Sequence, residues 1–163
     1  MAFQSWWFLS YFSSPIFLAS QSILHKDLEK GDDARVQRAI PLMVKINVLV
    51  GLICTAVNIV LLKYKNTLFT DNRAVIDVFP NILWQSSVSL FLVCITTALD
   101  GIFVGTNRMS TYLQACSVST MAAWLFANLI SMPLGQGTVG AWNGVLLFAI
   151  VRFAFYLLHW NKK

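Results

Sequence analysis

Apolar sequence fills most of this chain, in five blocks each long enough to cross a bilayer: about 2–24, 39–62, 81–105, 110–132 and 138–160. A helix rises about 1.5 Å per residue, so roughly 20 apolar residues span the hydrocarbon core. Inside lipid every backbone polar group needs a partner within the structure, which leaves helices or closed barrels. The blocks are continuous rather than alternating, so helices are expected. The expected fold is an all-α, multi-pass transmembrane bundle of five helices, one domain covering 1–163, with the lipid bilayer as its surroundings.

Composition narrows the function. Hydrophobic residues make up 57% of the chain and charged residues 12%, whereas a soluble domain carries about 25% charged residues. The helices use nearly all 163 residues, leaving no room for a soluble catalytic domain. The net charge is +5, with basic residues mainly in short loops and at the C-terminus. That is a topology pattern rather than a nucleic-acid footprint. No HExxH, GxSxG, phosphate-cradling glycine loop or paired-histidine site occurs, so neither an enzyme nor an ATP-driven pump is expected, and no metal or organic cofactor. Cys54, Cys94 and Cys116 lack CxxC spacing and read as small buried residues.

Met1 to Leu24 contains no Lys or Arg and no small-residue cleavage site follows, so the first block reads as a retained helix. Ser13-Ser14-Pro15 interrupts it; proline kinks a membrane helix, and neighbouring hydroxyls can satisfy the freed carbonyl. A charged loop is expected at 25–38, with Gly31-Asp32-Asp33 as a helix stop and the next N-cap. Turns are expected at Thr70-Asp71-Asn72 and Gly105-Thr106-Asn107-Arg108. Lys26, Lys30, Arg35, Arg38, Arg108, Lys162 and Lys163 lie on one side, and Lys63, Lys65 and Arg73 on the other. The excess puts the C-terminus on the cytoplasmic or equivalent side. Trp6, Trp7, Trp142 and Trp160 stand near block ends, where interface aromatics belong.

Charged groups inside a span are the sharpest functional signal, since each costs from about 2.5 kcal/mol at the bilayer centre. Lys45 can snorkel to the interface along its own stem. Arg152 either pairs with Asp100 or lines a water-filled cavity. Asp100 is too short to snorkel. It is either the carboxylate that a cation-coupled transporter needs or a capping group before Gly101 and Arg108. Gln21, Asn47, Asn58, Gln85, Gln114, Asn128 and Asn143 can join helices by hydrogen bonds or line a polar cavity. Gly101-x-x-x-Gly105 and Gly140-x-x-x-Gly144 indicate close helix packing.

Five short motifs carry a family resemblance. They are Ala19-Ser20-Gln21-Ser22-Ile23 with Gly31-Asp32 beyond it, Leu68-Phe69-Thr70-Asp71 with Val75, Leu99-Asp100-Gly101-Ile102-Phe103-Val104-Gly105, Gly140-Ala141-Trp142-Asn143-Gly144, and Arg152. In this order and spacing, from about residue 4 to 160, the chain resembles the carboxy-terminal lobe of a MATE (multidrug and toxic compound extrusion) transporter of the DinF-like branch. Glu29 stands where that family has the first glycine of GxGD, Arg108 where it usually has an acid, and Ser13-Ser14-Pro15 where relatives often carry an aspartate.

The resemblance implies a secondary active antiporter that exports small organic or xenobiotic compounds as H⁺ or Na⁺ enters. It implies a lobe of five helices that works beside an amino-terminal lobe, supplied by a partner chain or replaced in a homo-oligomer. It makes Asp100 the cation-coupling candidate, Arg152 its charge partner, and Gln21, Asn47 and Gln85 the substrate-cavity candidates. The membrane expected is the plasma membrane or an organelle such as a plastid or vacuole. The rival expectation is a truncated remnant or a non-transporting membrane scaffold.

Overall fold

The computed structural model describes residues 2–64 and 73–160. The Leu68–Asp71 motif, the turn at Thr70–Asn72 and the topology lysines Lys65, Lys162 and Lys163 lie outside the described residues, as does the side chain of Val75. Among the described residues every regular element is helical: α1 (Ala2–Ser10), α2 (Ser14–Glu29), α3 (Asp33–Tyr64), the single turn α4 (Arg73–Ile76), α5 (Phe79–Gly105), α6 (Met109–Phe126) and α7 (Gly137–His159). Four stretches are long and apolar enough to cross a membrane: α3, α5, α6 with the π turn that extends it to Ser131, and α7.

The expected five spans therefore become four uninterrupted ones and a broken first block. Between α1 and α2 lies a 3₁₀ turn, Tyr11–Ser13, and its cause is local. Pro15 has no N–H to offer the carbonyl of Tyr11, four residues back. The Ser14 N–H bonds that carbonyl instead, across the tighter 3₁₀ spacing. The Ser13 hydroxyl donates to the Ser10 carbonyl at 2.6 Å. Backbone angles stay right-handed helical at Ser10, Ser13 and Ser14, so the two pieces continue one another.

The charged stretch at 25–38 is also more ordered than a loop. α2 runs on through Glu29 and α3 starts at Asp33, so only Lys30, Gly31 and Asp32 connect them. The turn is a Schellman cap: Gly31 N–H bonds Leu28 O and Asp32 N–H bonds Asp27 O, both at 3.0 Å. That geometry needs a left-handed residue, and Gly31 sits at φ +69°. Asp32 then caps α3, its Oδ1 accepting the Arg35 N–H at 3.1 Å. The α5–α6 turn has the same design, with Asn107 at φ +58° and Arg108 N–H bonding Phe103 O at 2.8 Å. So does the α6–α7 turn, where Gly135 is left-handed and Gln136 N–H bonds Ser131 O at 3.1 Å.

α5 is the hub, packing against α2, α3 and α7. Its most apolar stretch is 67% buried, against 22%, 11% and 22% for the other spans. α6 touches the rest mainly through α7. The core divides along the bundle. One half gathers Trp6, Leu9, Cys54, Ile82, Leu90 and Trp142; the other gathers Leu24, Met43, Leu99, Phe103, Ala115 and Tyr156. Trp6 and Trp142 belong to the first half rather than to an interface belt. Their rings meet edge to face at 6.0 Å, and Trp6 Nε1 donates to Ser89 Oγ at 3.1 Å. Trp7 and Trp160 are exposed, as interface aromatics are.

The two glycine pairs behave differently. A Cβ on Gly101 would stand 2.7 Å from Phe17 O, and one on Gly105 would stand 2.9 Å from Ser20 O. The α2 backbone thus lies directly on the glycine face of α5. Gly140 is likewise tight against Ser131, but Gly144 has its nearest neighbour, Phe126 Cδ1, at 3.9 Å. Gly101→Ala should therefore lower the unfolding free energy by about 1–3 kcal/mol through overpacking. Gly144→Ala should change it little. Denaturant titration in detergent micelles, followed by helical circular dichroism, checks the contrast.

Candidate functional site

Asp100 lies five residues before the end of α5, about 7.5 Å along the axis. The segment from Ala98 to Phe103 is buried at every position, because α2 closes on its glycine face while α7 covers another. A carboxylate there needs a partner, and α7 supplies two. Arg152 and Tyr156 are four residues apart, which puts both on one helix face. Arg152 Nη2 meets Asp100 Oδ2 at 2.9 Å, with the two side chains only 14% and 10% exposed. The Tyr156 hydroxyl donates to Asp100 Oδ1. Both carboxylate oxygens are thus engaged by α7.

Residues of α5, α6 and α7 hold these partners in turn. Arg152 Nη2 also reaches Cys116 Sγ at 3.2 Å, which distinguishes Cys116 from a merely apolar cysteine. The guanidinium carbon stands 5.7 Å from the Tyr112 ring and 5.6 Å from the Phe148 ring, within cation–π range. Tyr112 and Cys116 are again four apart, on the α6 face that meets α7. Tyr156 stacks on Phe103 at 4.8 Å. Arg108 closes the end of the cluster, over Phe103 at 4.7 Å and donating from Nη2 to His159 O at 2.7 Å. It so satisfies one of the carbonyls left free at the α7 C-terminus, where a cation is favoured. Arg152 Nε is buried without a hydrogen-bond partner among the described residues.

The other candidates do not join this cluster. Gln21 lines an outward-opening groove of about 510 Å³ with Ser22, His25, Val104, Asn107 and Met109. Asn47 is fully buried, and its amide nitrogen and oxygen are unpartnered among the described residues. Gly51 faces Cys94, and Asn58 faces Ser87. That register brings Asn47 level with Ala98, on a different face of α5 from Asp100. Gln85 is 15 residues from Asp100 on the same helix, about 22 Å away along the axis. The three amides therefore stand in three places rather than around one cavity. Asn58 joins helices, donating to Ser86 Oγ at 3.3 Å and Ser87 Oγ at 3.2 Å. Lys45 is exposed on α3, as a snorkelling lysine is.

Sequence reasoning missed Tyr156, Tyr112, Phe148 and Cys116. The signal was available for Tyr156 and Phe148, which lie four residues either side of Arg152. Compared with protein-family models, curated proteins and solved structures, the chain gives no match.

A buried charge left alone costs about 3–5 kcal/mol, while removing both members of a pair is often nearly neutral. Asp100→Asn and Arg152→Met should each cost stability on that scale. The double variant should cost no more than either single one. Denaturant unfolding of the three variants measures the coupling, and simple additivity would mean the two charges do not interact.

Proposed function

We propose that this chain is the transmembrane lobe of a secondary active, cation-coupled antiporter similar to MATE transporters, exporting small organic compounds. The observation that carries the reading is a carboxylate inside a membrane-length helix, bridged to an arginine and a tyrosine of the neighbouring helix. Ionisable groups in such segments mark ion and proton pathways when they are retained.

The chemistry follows from competition for one carboxylate. With Asp100 ionised, Arg152 and the Tyr156 hydroxyl occupy its two oxygens and tie α7 to α5. An incoming H⁺ or Na⁺ neutralises Asp100 and displaces Arg152. A ligand shifts a conformational equilibrium only by its different affinity for the two states. Here the cation favours the state in which α7 has let go of α5. In a two-lobed transporter that loosening feeds the rocking of one lobe against the other. Gln21, on the open groove beside α5, is the amide best placed to meet a substrate.

A second reading is favoured by the enclosure of Arg152 between two aromatic rings: the pair is a permanent clamp in a membrane scaffold. Efflux of a fluorescent cationic dye separates the two, measured from vesicles under an imposed pH or Na⁺ gradient. The chain is reconstituted alone and beside an amino-terminal lobe of a MATE transporter. Under the coupling reading, Asp100→Asn and Asp100→Asn/Arg152→Met both abolish gradient-driven efflux, although the double variant keeps its fold. Restored efflux in the double variant would make the pair structural. The absence of efflux from the native chain both alone and beside the amino-terminal lobe would reject transport.

A further inference from the structure

We propose that the groove at the α2–α3 turn is a headgroup site for a phospholipid carrying more than one negative charge. This inference needs only the membrane spans and stands whether or not the chain transports. The groove is a shallow, open one that offers about 450 Å³ between the two helices. Four cations line it: Lys26 from the last turn of α2, Lys30 from the connection that follows, and Arg35 and Arg38 from the first turns of α3. The one carboxylate in the lining is Asp27, so the lining itself carries an excess of three positive charges, with Glu29, Asp32 and Asp33 beside it.

Most of that charge is unspent. Glu29 faces His25 at 3.4 Å, and Arg35 Nε meets Asp32 Oδ2 at 3.5 Å in an exposed pair, the kind that contributes little. Among the described residues Lys26, Lys30 and Arg38 have no carboxylate within ion-pair distance. The Schellman turn at Gly31 fixes the ends of α2 and α3 against each other, so the four exposed cations border one groove.

The position selects a lipid over a soluble anion. The apolar blocks end at about 24 and begin again at about 39, so the hydrocarbon boundary runs through the groove. Ile23, Ala39 and Leu42 are the apolar part of its lining. Below it, Leu42, Ile46 and Leu49 are exposed, and their spacing of four and three residues puts them on one face of α3. Lys45 shares that face. A doubly charged headgroup would meet the four cations while an acyl chain lies along the leucines. Basic pockets between transmembrane helices at the interface bind such headgroups.

The test titrates short-chain phosphatidylinositol bisphosphate into the chain held in phosphatidylcholine nanodiscs, with binding read by native mass spectrometry. Lys30→Gln/Arg38→Gln should weaken saturable binding about tenfold or more, by the loss of two cations at the surface. Lys63→Gln/Arg73→Gln removes the same charge outside the groove and should leave binding within about twofold. Arg38→Lys should retain most of it. Helical content and melting temperature establish that the variants fold; Arg38→Gln alone carries the comparison if the double variant does not. Equal losses in the groove and control variants, or no saturable binding, would overturn the proposal. Competition by soluble inositol trisphosphate as strong as by the lipid would show that the site takes a free phosphate instead.

Discussion

A carboxylate cannot be left alone in a low-dielectric helix bundle, and Asp100 is where this chain meets that constraint. Its two oxygens take the guanidinium of Arg152 and the hydroxyl of Tyr156, and the rest of that end of the molecule is arranged around the result. Phe103 stacks on Tyr156, Tyr112 and Phe148 flank Arg152, and Arg108 caps the helix that supplies both partners. Apolar burial does not choose a rotation for a helix surrounded by lipid, because lipid and leucine are equally greasy. A buried ion pair does choose one, since turning α7 away would strand a charge.

The other end of the bundle uses weaker and more numerous contacts. Trp6, Trp142 and Ser89 join α1, α7 and α5, and Asn58 reaches two serines of α5. Back at the Asp100 end, Gly101 and Gly105 let α2 lie on the α5 backbone, and α5 is the most buried of the four spans. The hub is therefore built from three devices: small residues where backbones meet, hydroxyls and amides where helices cross, and one charge pair where rotation must be fixed.

Much of this was legible in the sequence. Unbroken apolar blocks announced α3, α5, α6 and α7, and Gly31-Asp32 announced a stop and a cap that are both present. The break in the first block was visible in Pro15, but its consequence, two pieces joined by a 3₁₀ turn, depended on which N–H would take the Tyr11 carbonyl. The length of α2 and α3 was missed because charged residues were read as loop, whereas they continue two helices past the apolar boundary. For the site, sequence brought Asp100 and Arg152 forward because charges in apolar runs are conspicuous. Tyr156 and Tyr112 were hidden among other aromatics, and only their spacing on α7 and α6 distinguishes them. The amides Gln21, Asn47 and Gln85 looked alike in the sequence. Their dispersal over separate faces follows from helix register, which one chain's composition does not specify.

The packing of α7 on α5 turns on the contact between two side chains 52 positions apart in the chain. Solid-state NMR in bilayers measures it directly, as the dipolar coupling between carbon-labelled Asp100 carboxyl and nitrogen-labelled Arg152 guanidinium. Strong coupling is expected from the 2.9 Å separation of nitrogen and oxygen, and its loss in Arg152→Met. Weak or absent coupling in the native chain would mean that Asp100 finds its partner elsewhere, and the arrangement of α5, α6 and α7 described above would be wrong at its centre.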